Sequence, residues 1–231
     1  MSKLLIVVAL VLIIGGAIYF EYRRGNSMKA AAERLGFSFH PGQHLISEPL
    51  KRAEFDLFSQ GEPNIKNRME GERDGDRISV FDFSYPARTA GEGERGTPLS
   101  DDHQGMETRS QSVIWVQGKP ALPDFDLSPS RIHDRTVAVR LGLQRLTFDG
   151  STQFNDRYVL LARDDGRVRP LFTPEVQEYL LAHPGLVFES RGEDALFYRF
   201  GQRVDPKGVP LFLDEVQALL GLIREEFLPG R

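Results

Sequence analysis

Leu4-Leu5-Ile6-Val7-Val8-Ala9-Leu10-Val11-Leu12-Ile13-Ile14-Gly15-Gly16-Ala17-Ile18-Tyr19-Phe20 runs for seventeen residues without a charge, with Lys3 before it and Arg23-Arg24 after it. As a helix rising about 1.5 Å per residue, the run covers roughly 26 Å, slightly less than the ~30 Å hydrocarbon core of a bilayer. Lys3, Tyr19, Tyr22, Arg23 and Arg24 are the candidate membrane-interface residues, because aromatic rings favour the headgroup level and long basic stems snorkel to it. The reading is a single transmembrane anchor over residues 1–24, flanks included. Two other readings compete with it. Gly15-Gly16-Ala17 is small enough to form the cut site of a secretory signal, but Ile18, Tyr19 and Phe20 continue the apolar character beyond it. A buried helix apolar all round would need a large core.

Lys and Arg flanking a span resist translocation, so the more basic flank is expected in the cytoplasm. Only Lys3 and the terminal amine precede the run, whereas Arg23, Arg24, Lys29 and Arg34 follow it. The expectation is a single-pass protein of the inner cell membrane with its soluble part in the cytoplasm, an exported orientation being the alternative.

The chain has 29 Lys+Arg and 33 Asp+Glu and a formal charge of −4. Residues 1–24 carry Lys3, Arg23 and Arg24 against Glu21, so the rest is more acidic still, about −6. A phosphate-backbone binder needs a concentrated basic surface, and no nucleic-acid partner is expected. Cysteine is absent, which excludes disulfides, thiolate metal sites and a cysteine nucleophile. Residues 25–231 are long enough for one good core or two small ones.

Outward from the anchor, Ser27 suits an N-cap for a short helix from Met28 to Leu35, with Gly36 closing it. Phe37 and Phe39 open an extended segment, and residues 40–64 read as irregular. Asn67–Arg73 and Arg77–Tyr85 flank Asp74-Gly75, a pair suited to a tight hairpin turn. Phe81, Phe83 and Tyr85 share one face of the second strand. Residues 86–109 read as a mobile loop before the strand at Val113–Val116. Strands are expected at Val137–Leu143 and Tyr158–Ala162, and a helix capped by Thr173 with Pro174 in its first turn runs to about Ala182. A second hairpin is expected around Arg191-Gly192. A final helix over about Pro210–Phe227 carries Phe212, Val216, Leu219, Leu220, Ile223 and Phe227 on one stripe. The class is therefore α+β, an amino-terminal transmembrane helix followed by a largely antiparallel sheet with about three packed helices. The helix followed by two strands near each end of residues 25–231 also raises a diverged duplication.

Catalytic signatures are weak throughout. Gly91-Glu92-Gly93-Glu94-Arg95-Gly96 has the letters of a dinucleotide fingerprint, but no buried strand precedes it and two glutamates would repel a pyrophosphate. His40 and His44 have helical ligand spacing, interrupted by Pro41-Gly42. Asp101-Asp102-His103 reads as a polar loop, and His183 as a partner for a helix carboxyl end. Pairs such as Asp124 with Asp126 are expected to be solvated, and Trp115 to be core. No catalytic, cofactor-binding or metal residue is assigned, and no cofactor is expected.

Ala31-Ala32-Glu33-Arg34-Leu35-Gly36-Phe37, the Gly71 hairpin leading into Val80-Phe81-Asp82-Phe83-Ser84-Tyr85, and Phe172-Thr173-Pro174-Glu175-Val176 resemble a group of uncharacterised bacterial proteins with one amino-terminal transmembrane helix and a soluble α+β domain. The resemblance is spread over most of residues 28–220. It implies a shared fold and a bacterial membrane setting, and carries over no catalytic residue. The leading functional expectation is a membrane-anchored, non-enzymatic binding or scaffold domain, whose partners are the bilayer through Leu4 to Phe20 and another membrane or envelope protein. The alternatives are a tethered hydrolase built on His133 and Asp134, with Ser128 or Ser130 nearby, and a small-molecule or lipid sensor with an apolar cavity between helix and sheet. Oligomeric state is not legible.

Overall fold

A computed structural model describes residues 2–59, 63–88, 106–131 and 142–227. Helix α1 spans Ser2–Leu35 without a break. Its large apolar side chains from Leu5 to Phe20 are exposed, whereas Met28, Ala31 and Ala32 are fully buried. The expected break at Ser27 is therefore corrected, and the boundary placed after residue 24 falls inside this helix. The i, i+3, i+4 spacing of Met28, Ala31 and Ala32 makes a narrow apolar stripe, and its burial outweighs the weak helix propensity of Gly25, Asn26 and Ser27. The helix closes as the sequence indicates: Gly36 takes φ 71, and the Phe37 amide donates to Ala32 O at 2.9 Å.

Seven antiparallel strands form one sheet: β1 (Ser38–His44), β2 (Asn64–Arg73), β3 (Asp76–Arg88), β4 (Met106–Pro129), β5 (Gln144–Leu146), β6 (Tyr158–Ala162) and β7 (Leu186–Arg199). Their order is β1-β2-β3-β4-β6-β5, with β7 on the other edge of β4. The 24-residue β4 is the hub: one edge pairs first with β3 and then with β6, while β7 runs along the opposite edge. The β2–β3 turn is the one expected, with Asp74 at φ 53 and Gly75 at φ 83. Between the strands lie α2 (Glu48–Arg52), α3 (Thr152–Arg157), α4 (Asp165–Val168) and α5 (Pro174–Ala182), and α6 (Val209–Phe227) follows β7.

Three expectations change. Residues 40–64 are not wholly irregular: β1 continues through Pro41-Gly42 by a register shift, and α2 follows. The loop expected over 86–109 loses both ends, because Pro86 pairs with Thr108 and Arg88 with Met106 in a continued ladder. Residues 89–105 lie outside the described residues, as does nearly all of the strand expected at Val137–Leu143. No hairpin forms at Arg191-Gly192. Gly192 takes φ 64 at an irregularity where β7 stays paired with the long β4, so the second helix-hairpin unit of a duplication is missing.

Alternation along the strands divides the core in two. On one face Ile78, Val80, Ile114, Val116 and Phe125 pack with the base of α1 and with α5 and α6; the stripe Phe212, Val216, Leu219, Leu220 and Ile223 is buried there as read. On the other, Phe81, Phe83, Tyr85, Val113 and Trp115 pack beneath a strap containing Ile46, Leu50, Phe55 and Leu57. Trp115 is core, its indole N–H donating to Asp194 Oδ1 at 2.9 Å. Thr173 caps α5 by accepting from the Val176 amide, with Pro174 in the first turn.

Candidate functional site at the root of the long helix

Asp82 points from β3 toward α1, opposite to Phe81 and Phe83, and is the centre of a largely buried network. Arg24 grips it with Nε to Oδ2 at 2.8 Å and Nη2 to Oδ1 at 2.6 Å, and is itself only 14% exposed. Asn67 Nδ2 donates to Oδ2 at 2.9 Å. Asn67 reaches inward because β2 shifts register between Lys66 and Met69 and takes a left-handed φ of 53 there, a conformation asparagine tolerates. Ser112 Oγ donates to Oδ1 at 3.1 Å and accepts from the Val204 amide at 3.0 Å. Arg203 completes the cluster, bridging Asp82 Oδ2 at 3.4 Å and Glu21 Oε1 at 2.6 Å. Burial pushes the Asp82 carboxyl up, but the hydrogen bonds and charges of Arg24, Asn67 and Arg203 outweigh it and hold the carboxyl below its ordinary range. The bond to Arg203 does the same for Glu21.

Two cavities open beside this network. A groove of about 560 Å³ lies between α1 and the β1–β2 edge, with Tyr22, Gly25, Lys29, Phe39 and Pro41 among its walls. A smaller pocket of about 230 Å³, lined by Asn64, Ser84, Thr108, Ser110 and Arg203 among others, lies over β2–β4. Glu21 and Lys66 belong to both. Glu21 follows Phe20 directly, so both cavities adjoin the end of the exposed apolar run.

Tyr19, Tyr22 and Arg23 project outward from α1. Arg24 does not: expected at the interface, it turns inward because Asp82 offers a carboxylate that would otherwise be buried unpaired. The side chain of Lys3 lies outside the described residues, as do His133, Asp134 and the Asp101-Asp102-His103 segment. His40 and His44 sit on β1, their rings edge to face at 6.4 Å, with His44 Nε2 2.9 Å from His40 O. His183 lies at the carboxyl end of α5, Nδ1 2.9 Å from Tyr179 O. Among the described residues no group of three or more potential metal ligands converges.

A second buried polar cluster lies under the strap. Asp126 and Glu189 face each other across β4 and β7 and are almost inaccessible, so Asp126 is not the solvated carboxylate its sequence setting indicates. Arg191 Nη1 lies 2.8 Å from Asp126 Oδ1; Glu189 accepts from the Asp56 amide at 2.6 Å and from the Tyr198 hydroxyl at 2.7 Å. Burial and the Asp126 charge push Glu189 up to about 7, and Arg191 only partly compensates. A hydrogen-bonded pin between β7 and the strap is what this arrangement makes.

No family model matches the chain, and no curated protein matches it. A solved structure does. The crystal structure of the mycobacterial trehalose monomycolate transport factor A, TtfA, superposes with a TM-score of 0.59, covering 90% of this chain and 97% of that one at 14% identity. At that identity the likeness establishes the shared α+β fold and leaves the site residues to be argued from this chain alone.

Proposed function

We propose that the protein is a membrane-anchored, non-catalytic binding domain of a bacterial envelope, presenting the groove at the root of α1 to a partner in the same membrane. The observation that carries this reading is the unbroken α1, whose exposed apolar half is long and apolar enough to cross a membrane or to serve as a signal sequence, and whose base is clamped to the sheet by Arg24 and Asp82. Removal of a signal near Ala17 would leave Ile18, Tyr19 and Phe20 as an exposed apolar stub, which favours the uncleaved anchor. Confinement to one membrane raises the effective concentration of a second membrane protein, so weak contacts in a groove of this size suffice. The fold shared with a factor named for trehalose monomycolate transport favours service to a lipid-transport assembly of the envelope. The basic flank of Arg23, Lys29 and Arg34 favours a cytoplasmic position for the soluble part, residues 25–231.

A photo-crosslinking residue at Gln43, on the groove, is expected to capture the same membrane protein in repeated preparations, whereas one at the exposed Leu211 on α6 is not. Absence of a reproducible adduct from Gln43 under several growth conditions would refute the scaffold reading.

A further inference from the structure

The smaller pocket has an uneven charge balance. Its two carboxylates are already matched, Asp82 by two bonds from Arg24 and Glu21 by Arg203. Lys66 is half-buried in the same pocket and makes no ion pair among the described residues, although its field helps hold Glu21 ionised. The surplus is therefore one ammonium, and a partly desolvated ammonium without a counter-charge is unfavourable. Ser84, Thr108 and Ser110 supply hydroxyl donors to the same space, and Arg203 Nε is buried without an acceptor among the described residues. One ammonium with several neutral donors matches an anion with several acceptor oxygens. The position of the pocket narrows the source. Glu21 on its rim follows the last residue of the apolar run, so in a membrane the pocket opens at the level where hydrocarbon gives way to headgroups.

We propose that this pocket receives the phosphate of an anionic phospholipid from the leaflet in which α1 ends, with Lys66 as its counter-charge. The inference rests on α1 being an uncleaved anchor. Asp82 and Arg24 act here as scaffold, holding α1 against β3 so that Lys66 and the hydroxyls keep their places. The bound lipid would fix the height of the sheet above the bilayer and leave the neighbouring groove open.

The test is reconstitution of the full chain into nanodiscs of mixed phosphatidylglycerol and phosphatidylcholine, followed by native mass spectrometry of the released protein. The expected result is a retained phosphatidylglycerol adduct, reduced about tenfold by Lys66→Ala and kept by Lys66→Arg, as loss of one charge-assisted bond implies. Lys29→Ala, on the groove, is expected to leave the adduct unchanged. Ser84→Ala combined with Ser110→Ala is expected to weaken it with the circular dichroism spectrum unaltered, which gives a second reading if Lys66→Ala perturbs folding. Disc incorporation without a preferred anionic lipid, or an adduct indifferent to Lys66, overturns the headgroup site while leaving the anchor intact. Inorganic phosphate displacing the adduct at millimolar concentration would make the site one for free anions and also overturn it. Failure of the chain to enter discs overturns both the site and the anchor.

Discussion

Asp82 occupies a strand position where alternation places a polar residue opposite three aromatic rings, an ordinary solvated setting but for what covers it. Removing its carboxylate leaves Arg24 without its counter-ion and close to Arg203, which Glu21 alone then matches, so Asp82→Ala is expected to destabilise the fold by ~3–5 kcal/mol in chemical denaturation of the detergent-solubilised protein. Gly71 is constrained differently: a Cβ there would lie 2.1 Å from a ring carbon of Phe37. Gly71→Ala must displace that ring and is expected to cost ~1–3 kcal/mol, read as a lowered Tm. The two buried acids respond oppositely to pH. Asp82 is held below its ordinary value, so its contribution is present above the usual aspartate range and is lost as pH falls through the depressed value. Glu189 is raised to about 7 from 4.5, so the folded state holds a proton that the unfolded chain releases. Its contribution is full below about 4.5 and lost as pH rises through about 7. The wild type should therefore unfold at a higher temperature at pH 5.5 than at pH 8, and Glu189→Gln should flatten that difference; an unchanged slope in the variant would assign the dependence elsewhere.

At the scale of elements, α1 is one rod, exposed and apolar from Leu5 to Phe20 and buried against the sheet at Met28, Ala31 and Ala32. Asn26→Pro is expected to break it between the span and the buried base at a cost of ~3 kcal/mol, opening Arg23-Arg24 to trypsin in detergent where the wild type resists. A variant as resistant as the wild type would mean that the rod is already jointed there. This continuity was not legible in the chain, because Gly25-Asn26-Ser27 has the composition of a helix start and only the burial of Met28, Ala31 and Ala32 against the sheet overrides it. The elements read well are those set by local chemistry: the Asp74-Gly75 turn, the Thr173-Pro174 cap, the alternating β6 and the stripe of α6. Those misread depend on distant partners. Arg191-Gly192 has the residues of a turn, yet β4 pairs along β7 on both sides of it and holds the chain extended. The candidate site was illegible for the same reason, since Arg24, Asn67 and Arg203 reach Asp82 from separations of 58, 15 and 121 residues. A lone aspartate in an aromatic strand gives no sign of them.

For the whole molecule, the anchoring proposed above makes the side of the membrane that the sheet occupies the decisive property. A phosphatase reporter fused after Arg231 should be inactive and a cytoplasmic fluorescent reporter bright, if the basic flank of α1 sets the orientation. The reverse pattern would move the domain outside and exchange its set of partners. The turning inward of Arg24 removes one cation from the exposed flank and leaves Arg23, Lys29 and Arg34 as the basic groups to neutralise in that test. The fold likeness to TtfA extends over 90% of this chain and 97% of that one, so the α+β fold is shared over most of its length. A helix that enters a sheet without a joint also acts as a lever. Its apolar run of ~26 Å is shorter than a ~30 Å core, so on the anchoring proposed above a thicker bilayer would hold it upright and a thinner one would let it lean. In the anchored protein proposed above, because Arg24 and Asp82 weld the end of the apolar run to the sheet, every degree of lean would be delivered undiminished to the sheet, and the groove would swing toward or away from its neighbours as bilayer thickness changes.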